Sequence, residues 1–299
     1  MSGLSKLFRK SATRPTARRA RLGVEAMGDR VVPSVTFTEN PGENSLTIVA
    51  AANQNNTITI RNDGAGNLTV SADGVTRNFT QIEFVDVETG NGQDTVTYNQ
   101  GTATQSANIT RSFNLDVDLG SSLFDGSAAN TFRANVFGDV GFVQNGTVRA
   151  RDLSFDIWGG NGGDRLDFNF NDTDVRAGSE LFIFAIGFGG ADNITLDSDG
   201  EVDGNMFFTL QGWGGNDTIA ANVLLDAGST GLLGREGTAA NIRGDEDSDN
   251  LRLAVRQQAG SQAEVDAALN GGFSLFDNDI GRHTTNVSTS FLEQDIVIV

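Results

Sequence analysis

Apolar and polar residues alternate in short runs along most of the chain. Leu153-Ser-Phe155-Asp-Ile157, Leu181-Phe-Ile183-Phe-Ala185 and Met206-Phe-Phe208-Thr-Leu210 place apolar side chains at every second position. So do Val96-Thr-Tyr98, Leu166-Asp-Phe168, Ile194-Thr-Leu196 and Leu251-Arg-Leu253. A period of two predicts strands with one buried face. Octets of one pattern sit beside these runs: Val87 to Asp94, Ile157 to Asp164, Ala185 to Asp192, Leu210 to Asp217 and Ile242 to Asp249. Each opens on an apolar residue, is rich in Gly, Asn or Asp, and closes on Asp. Positions 94, 164, 192, 217 and 249 are 70, 28, 25 and 32 residues apart. Weaker copies at Asn130 and Asn67 bring the period to about 30 residues.

A strand, a Gly/Asp turn and a second strand cannot bury their apolar face alone, so copies must stack. The predicted fold is all-β: a parallel β-solenoid, or β-helix, with rungs of about 30 residues spaced ~4.8 Å apart. An irregular β-sandwich also suits strands broken by frequent turns, but it gives no reason for the octet to recur with Asp in register. Residues 35–86 read as short antiparallel hairpins joined by Asn-Asp-Gly and Ala-Asp-Gly turns, an N-terminal cap over open strand edges. Solenoid repeats follow over 87–256. In the C-terminal cap, 257–299, Ser261 and Glu264 form a capping box that predicts a short helix to Leu269, stopped by Asn270-Gly271-Gly272.

Composition narrows the chemistry. The 299 residues contain no Cys and one His, His283. Disulfides, thiolate metal sites, cysteine nucleophiles and His-rich sites are therefore excluded. The net charge of −18 argues against nucleic acid as a partner. No apolar stretch is long enough to span a membrane as a helix. The charge is uneven: residues 1–30 carry 8 basic and 2 acidic side chains, and the remainder 13 and 37. Residues 1–34 therefore read as a disordered basic leader. Leu22, Glu25, Arg30, Pro33 and Ser34 fall where the N-terminal sorting segment of many bacterial surface and exported proteins has its matching residues. The segment resembles that family, and the resemblance implies an extracellular or cell-surface location.

Gly159-Gly160-Asn161-Gly162-Gly163-Asp164-Arg165-Leu166-Asp167 matches G-G-x-G-x-D-x-U-x at every position. It resembles the calcium-binding nonapeptide of RTX-type secreted proteins. The resemblance implies Ca²⁺ held between stacked turns, with Gly160, Gly162, Asp164, Asp192, Asp217, Asp245, Asp247 and Asp249 as candidate site residues. The other copies depart from the pattern: Phe188 and Trp213 stand at the second glycine, and Thr89 at the first. The competing reading is a metal-free turn in which each Asp caps backbone N–H groups. Trp158 and Trp213 occupy equivalent turns, as packing or as a sugar-stacking platform. Tyr98 and His283 are weak candidates for chemistry. The function expected is a non-enzymatic structural or adhesive solenoid, secreted or at the cell surface. Calcium is its candidate stabiliser, and cell-envelope or carbohydrate components are its candidate partners. The alternative is a β-helix polysaccharide lyase or hydrolase, which a groove of clustered Arg and Asp on one outer face would favour.

Overall fold

The computed structural model describes residues 35–120, 128–234, 239–245, 247–258, 261–265, 267–270, 284–285 and 295–298. The leader 1–34 and His283 lie outside the described residues.

The chain coils into a parallel β-solenoid with two long sheets facing each other across one core. Each rung contributes one strand to each sheet. The pairs are Ser45–Ala50 with Thr57–Asn62, Phe84–Glu88 with Thr95–Gln100, and Phe113–Asp118 with Thr131–Val136. Asp152–Asn161 with Arg165–Phe170, Glu180–Gly189 with Asn193–Gly200, and Asn205–Gly214 with Thr218–Leu225 follow. Ala240–Asp245 with Asn250–Gln257 comes next. The octet is the corner between the two strands of a rung. Ile157, Ala185 and Leu210 lie in register in one fully buried row. A third column of parallel bridges runs through the return segments at Ile109, Val140, Val175 and Val202.

Alternation decides which residues enter the core. In Asp152–Asn161 the side chains of Leu153, Phe155 and Ile157 point inward, and those of Ser154 and Asp156 point outward. Phenylalanine fills the width between the sheets: Phe132 and Phe168 lie 5.4 Å apart on adjacent rungs, and Phe155 meets Phe170 edge-on at 5.8 Å. Such offset and edge contacts add to area burial. Tyr98 is buried among them. Its hydroxyl donates to Gln100 Oε1 (2.9 Å) and accepts from Asn62 Nδ2 (3.0 Å). Burial raises its pKa far above the ordinary value. Tyr98 is a satisfied core residue with no open face for a substrate.

Both ends close with antiparallel strands. Val35–Asn40 pairs antiparallel with Ser45–Ala50, and Leu68–Ala72 and Val75–Phe79 extend the second sheet antiparallel from Thr57–Asn62. Ser45–Ala50 and Thr57–Asn62 themselves pair parallel with the next rung, so the coil starts inside the segment expected to be only a cap. At the far end Asp295–Ile298 pairs antiparallel with Asn250–Gln257.

The helix expected from Ser261 to Leu269 does not form. Glu264–Val265 and Ala267–Asn270 are strands, paired parallel with Leu232–Leu233 and Ala240–Asp245. An isolated nine-residue helix is marginal. The open edge of a sheet instead offers a row of backbone partners, and Ala240 and Ile242 pair in register with Ala267 and Leu269.

Candidate functional site

One buried Asn or Asp per rung forms a ladder at the octet corner. Asn56, Asp94, Asn130, Asp164, Asp192, Asp217 and Asp249 are each at most 4% exposed. Each backbone N–H donates to the Oδ1 of the next member: Asn56 to Asp94 (2.7 Å), Asp94 to Asn130 (3.0 Å) and Asn130 to Asp164 (2.6 Å). Asp164 donates to Asp192 (2.7 Å), Asp192 to Asp217 (2.8 Å) and Asp217 to Asp249 (2.9 Å). The corner N–H has no strand partner there, and the side chain of the following rung replaces it. The weaker copy Asn130 is a full member. Asn67 is not: its rung's place is taken by Asn56, and Asn67 lies in an exposed hairpin turn bonded to Asp63.

The second carboxylate oxygen sets the glycine pattern. A Cβ on Gly187 or Gly212 would stand 2.0 Å from Oδ2 of Asp192 or Asp217, and one on Gly159 would stand 2.6 Å from Oδ2 of Asp164. The glycine five residues before each of these aspartates is there for space, and its backbone conformation is ordinary. Oδ2 of Asp94, Asp164, Asp192 and Asp217 is buried without a hydrogen-bond partner. Loss of water therefore raises these carboxyls: Asp164 and Asp217 to about 6, and Asp192, with Asp217 and Asp164 repelling it from either side, to about 8. In the Asn130 rung the corresponding atom is a donor, with Nδ2 bonded to the carbonyl of Gly159 (3.1 Å).

Of the residues implied by the calcium resemblance, Asp164, Asp192, Asp217 and Asp249 come together in this ladder. Gly160 turns the corner at φ 110°, and Gly162 lets Ala128 O approach to 1.9 Å of where a Cβ would be. Asp245 and Asp247 stay outside, accepting from the Gln211 side chain and the Gly215 N–H. Calcium wants six to eight oxygens. Here Oδ1 is already used between rungs, which leaves one carboxylate oxygen per rung. Among the described residues no group of three or more acidic side chains is placed to hold an ion. The ladder carboxylates alone do not complete such a shell, and backbone carbonyls of the corner would have to supply the remaining oxygens.

The outer side of the same corner carries aromatic rings. Trp158 and Phe188 lie 5.6 Å apart with planes 29° apart, and Phe188 meets Trp213 edge-on at 5.4 Å. Trp158 is 41% and Trp213 43% exposed. Gly160, Phe188, Trp213 and Asp245 form one register column, all with positive φ: 110°, 74°, 76° and 73°. Glycine adopts that conformation freely, whereas a bulky side chain there costs on the order of 1–3 kcal/mol. Beside the rings, on the outer face of the same sheet, Asp86, Asp116 and Asp156 stand in register, with Glu88 and Asp118 two residues on. Among the described residues no arginine pairs with these five. Partial burial, then repulsion from Asp156, Asp86 and Asp118, raises Asp116 to about 6.

The outer face of the second sheet holds a groove of about 370 Å³ whose lining includes Asp197, Asp199, Arg252 and Arg256. Asp197 accepts from Asn222 Nδ2, and Asp199 from the N–H of Asp172. Elsewhere Arg111, Arg133, Arg165 and Arg176 are in ion pairs. Arg133 and Arg165 both hold Asp167, and Arg176 bridges Asp139 and Asp174. Burial pushes Asp167 upward, but the two guanidinium groups and Thr195 outweigh it and hold the carboxyl below its usual range.

Comparison with protein-family models, curated proteins and solved structures gives no match. The site is therefore read from its own geometry. Sequence reasoning found the ladder's aspartates from their spacing and missed Asn56, the acidic row and the strained ring column. Alternation of acids at 86 and 88 and at 116 and 118 was the available signal for the row. No sequence signal marks a left-handed Phe or Trp.

Proposed function

We propose that the chain is a non-enzymatic structural and adhesive solenoid displayed outside the cell. The observation that carries this reading is the ladder, in which every rung from Asn56 to Asp249 is pinned to the next by one buried side-chain acceptor. Backbone pairing alone leaves a corner free to fray, and a repeated buried acceptor removes that freedom along the whole stack. Such a scaffold suits fixed presentation of its outer faces. The basic leader, with Arg30, Pro33 and Ser34, supports export. No helix among the described residues is long and apolar enough to cross a membrane.

Protease treatment of intact cells should degrade the protein, and a chain without residues 1–34 should keep its melting temperature but lose surface delivery. A full-length protein protected inside intact cells would contradict display. We infer a proton, rather than Ca²⁺, as the partner of the buried Oδ2 atoms. The melting temperature should accordingly be the same in chelator and in millimolar Ca²⁺. A drop in chelator that calcium restores and magnesium does not would favour the calcium reading.

A second reading rests on the groove of Asp197, Asp199, Arg252 and Arg256, where a lyase or hydrolase could hold an acidic polysaccharide. Incubation with polyuronates should release no unsaturated or reducing ends. Release that Arg252→Ala abolishes would establish the enzyme.

A further inference from the structure

We propose that the cleft around Trp158, Phe188 and Trp213 binds an extended, uncharged β-linked glycan along the stack of rungs, a deepening of the adhesive reading on which it rests. The cleft encloses about 330 Å³, and Asp118, Gly120, Gly160 and Ile186 complete its lining. The rings come from three consecutive rungs. Phe188 and Trp213 stand in register on adjacent rungs, 5.4 Å apart, and Trp158, two residues before that column on the preceding rung, lies 5.6 Å from Phe188. Equatorially linked pyranoses present flat C–H faces, and aromatic rings stack on them.

The turn itself does not require the rings. Gly160 fills the same register position one rung earlier, so Phe188 and Trp213 hold a left-handed conformation that glycine would adopt without strain. Strain kept at half-buried Phe188, between the two tryptophans, and at exposed Trp213 points to a use for these side chains. The polar part of the lining selects the partner. Asp118 accepts from the Gly120 N–H through Oδ1, which leaves its other oxygen for an incoming donor. A purely apolar partner surface would bury that carboxylate uncompensated, whereas sugar hydroxyls bring donors. Among the described residues the lining contains no basic side chain, and Glu88, Asp116 and Asp156 flank it on the same face. An anionic polysaccharide is repelled there.

Both tryptophans of the chain line this cleft, so intrinsic fluorescence reports on it alone. Full-length protein titrated with cellohexaose and with chitohexaose should show a saturable tryptophan shift with at least one, and none with polygalacturonate. Trp158→Ala, read through Trp213, should weaken binding about tenfold or more. Phe188→Gly should do the same while its melting temperature stays equal or rises, because glycine relieves the turn. Silence with both neutral oligomers, preference for polygalacturonate, or binding that survives Trp158→Ala and Phe188→Gly would overturn the proposal. So would a large fall in melting temperature on Phe188→Gly, which would make the ring structural. A protease-accessible protein with silent tryptophans removes the glycan and leaves display intact. A protein protected inside the cell that still binds removes display and leaves the cleft.

Discussion

Gly212→Ala should destabilise the solenoid by about 3 kcal/mol or more, at the severe end of overpacking. The new Cβ would stand 2.0 Å from Asp217 Oδ2 and 2.7 Å from its carboxyl carbon. The carboxyl cannot retreat without breaking the 2.8 Å bond that its Oδ1 accepts from the Asp192 N–H. Because ladder members are coupled rung to rung, the damage should spread to neighbouring turns. Gly42→Ala is the control. Its Cβ would meet only Asn40 Oδ1, at 3.6 Å, and its φ is unrestricted, so a change within about 0.5 kcal/mol is expected. Chemical denaturation of the two variants measures both. Equal stability of Gly212→Ala and the parent would show that the carboxyl does not occupy the corner.

Stability should fall as pH rises from about 4 to 8. The ladder carboxyls are raised in the folded state, to about 6 for Asp164 and Asp217 and to about 8 for Asp192. An unfolded aspartate releases its proton near pH 4. Between those limits the folded chain holds more protons than the unfolded one, so the slope of stability against pH is negative. The contribution is fully present below about pH 4 and is lost as pH passes the folded values. Asp167, held below its usual range by Arg165 and Arg133, acts in the opposite sense and only at lower pH. A loss of a few kcal/mol overall corresponds to a fall in melting temperature of roughly 5–10 °C for a chain of this size. Asp192→Asn should leave the pH 5 value unchanged and raise the pH 8.5 value by several degrees, since Asn56 and Asn130 already fill this position in other rungs. A melting temperature that rises from pH 5 to 8 would contradict the protonated ladder.

The period-two runs and the recurrent Asp made the solenoid legible, because burial on one strand face and a fixed corner residue both leave a mark at regular spacing. Asp164, Asp192 and Asp217 fall on adjacent rungs as their octets require. What stayed hidden depends on neighbours distant in sequence. Asn56 joins the ladder through Asp94, 38 residues on, and its own turn, Ala51-Ala-Asn-Gln-Asn-Asn56, has no glycine to announce it. The capping box at Ser261 is a local signal, and the sheet edge at Ala240–Asp245 overrides it. The glycines before Asp192 and Asp217 read as turn formers, yet their role is to leave room for a carboxylate oxygen. Phe188 and Trp213 look like departures from a glycine motif, and only their φ values and their packing with Trp158 mark them as a distinct feature.

The most direct measurement is a side-chain carboxyl ¹³C titration of the full-length protein labelled at aspartate, in the presence of chelator. A small group of carboxyls should titrate far above the rest, with a midpoint near 8 that disappears in Asp192→Asn and midpoints near 6 assignable to Asp164 and Asp217. If every aspartate titrates near 4, the ladder is ionised throughout, and protons do not hold the rungs together.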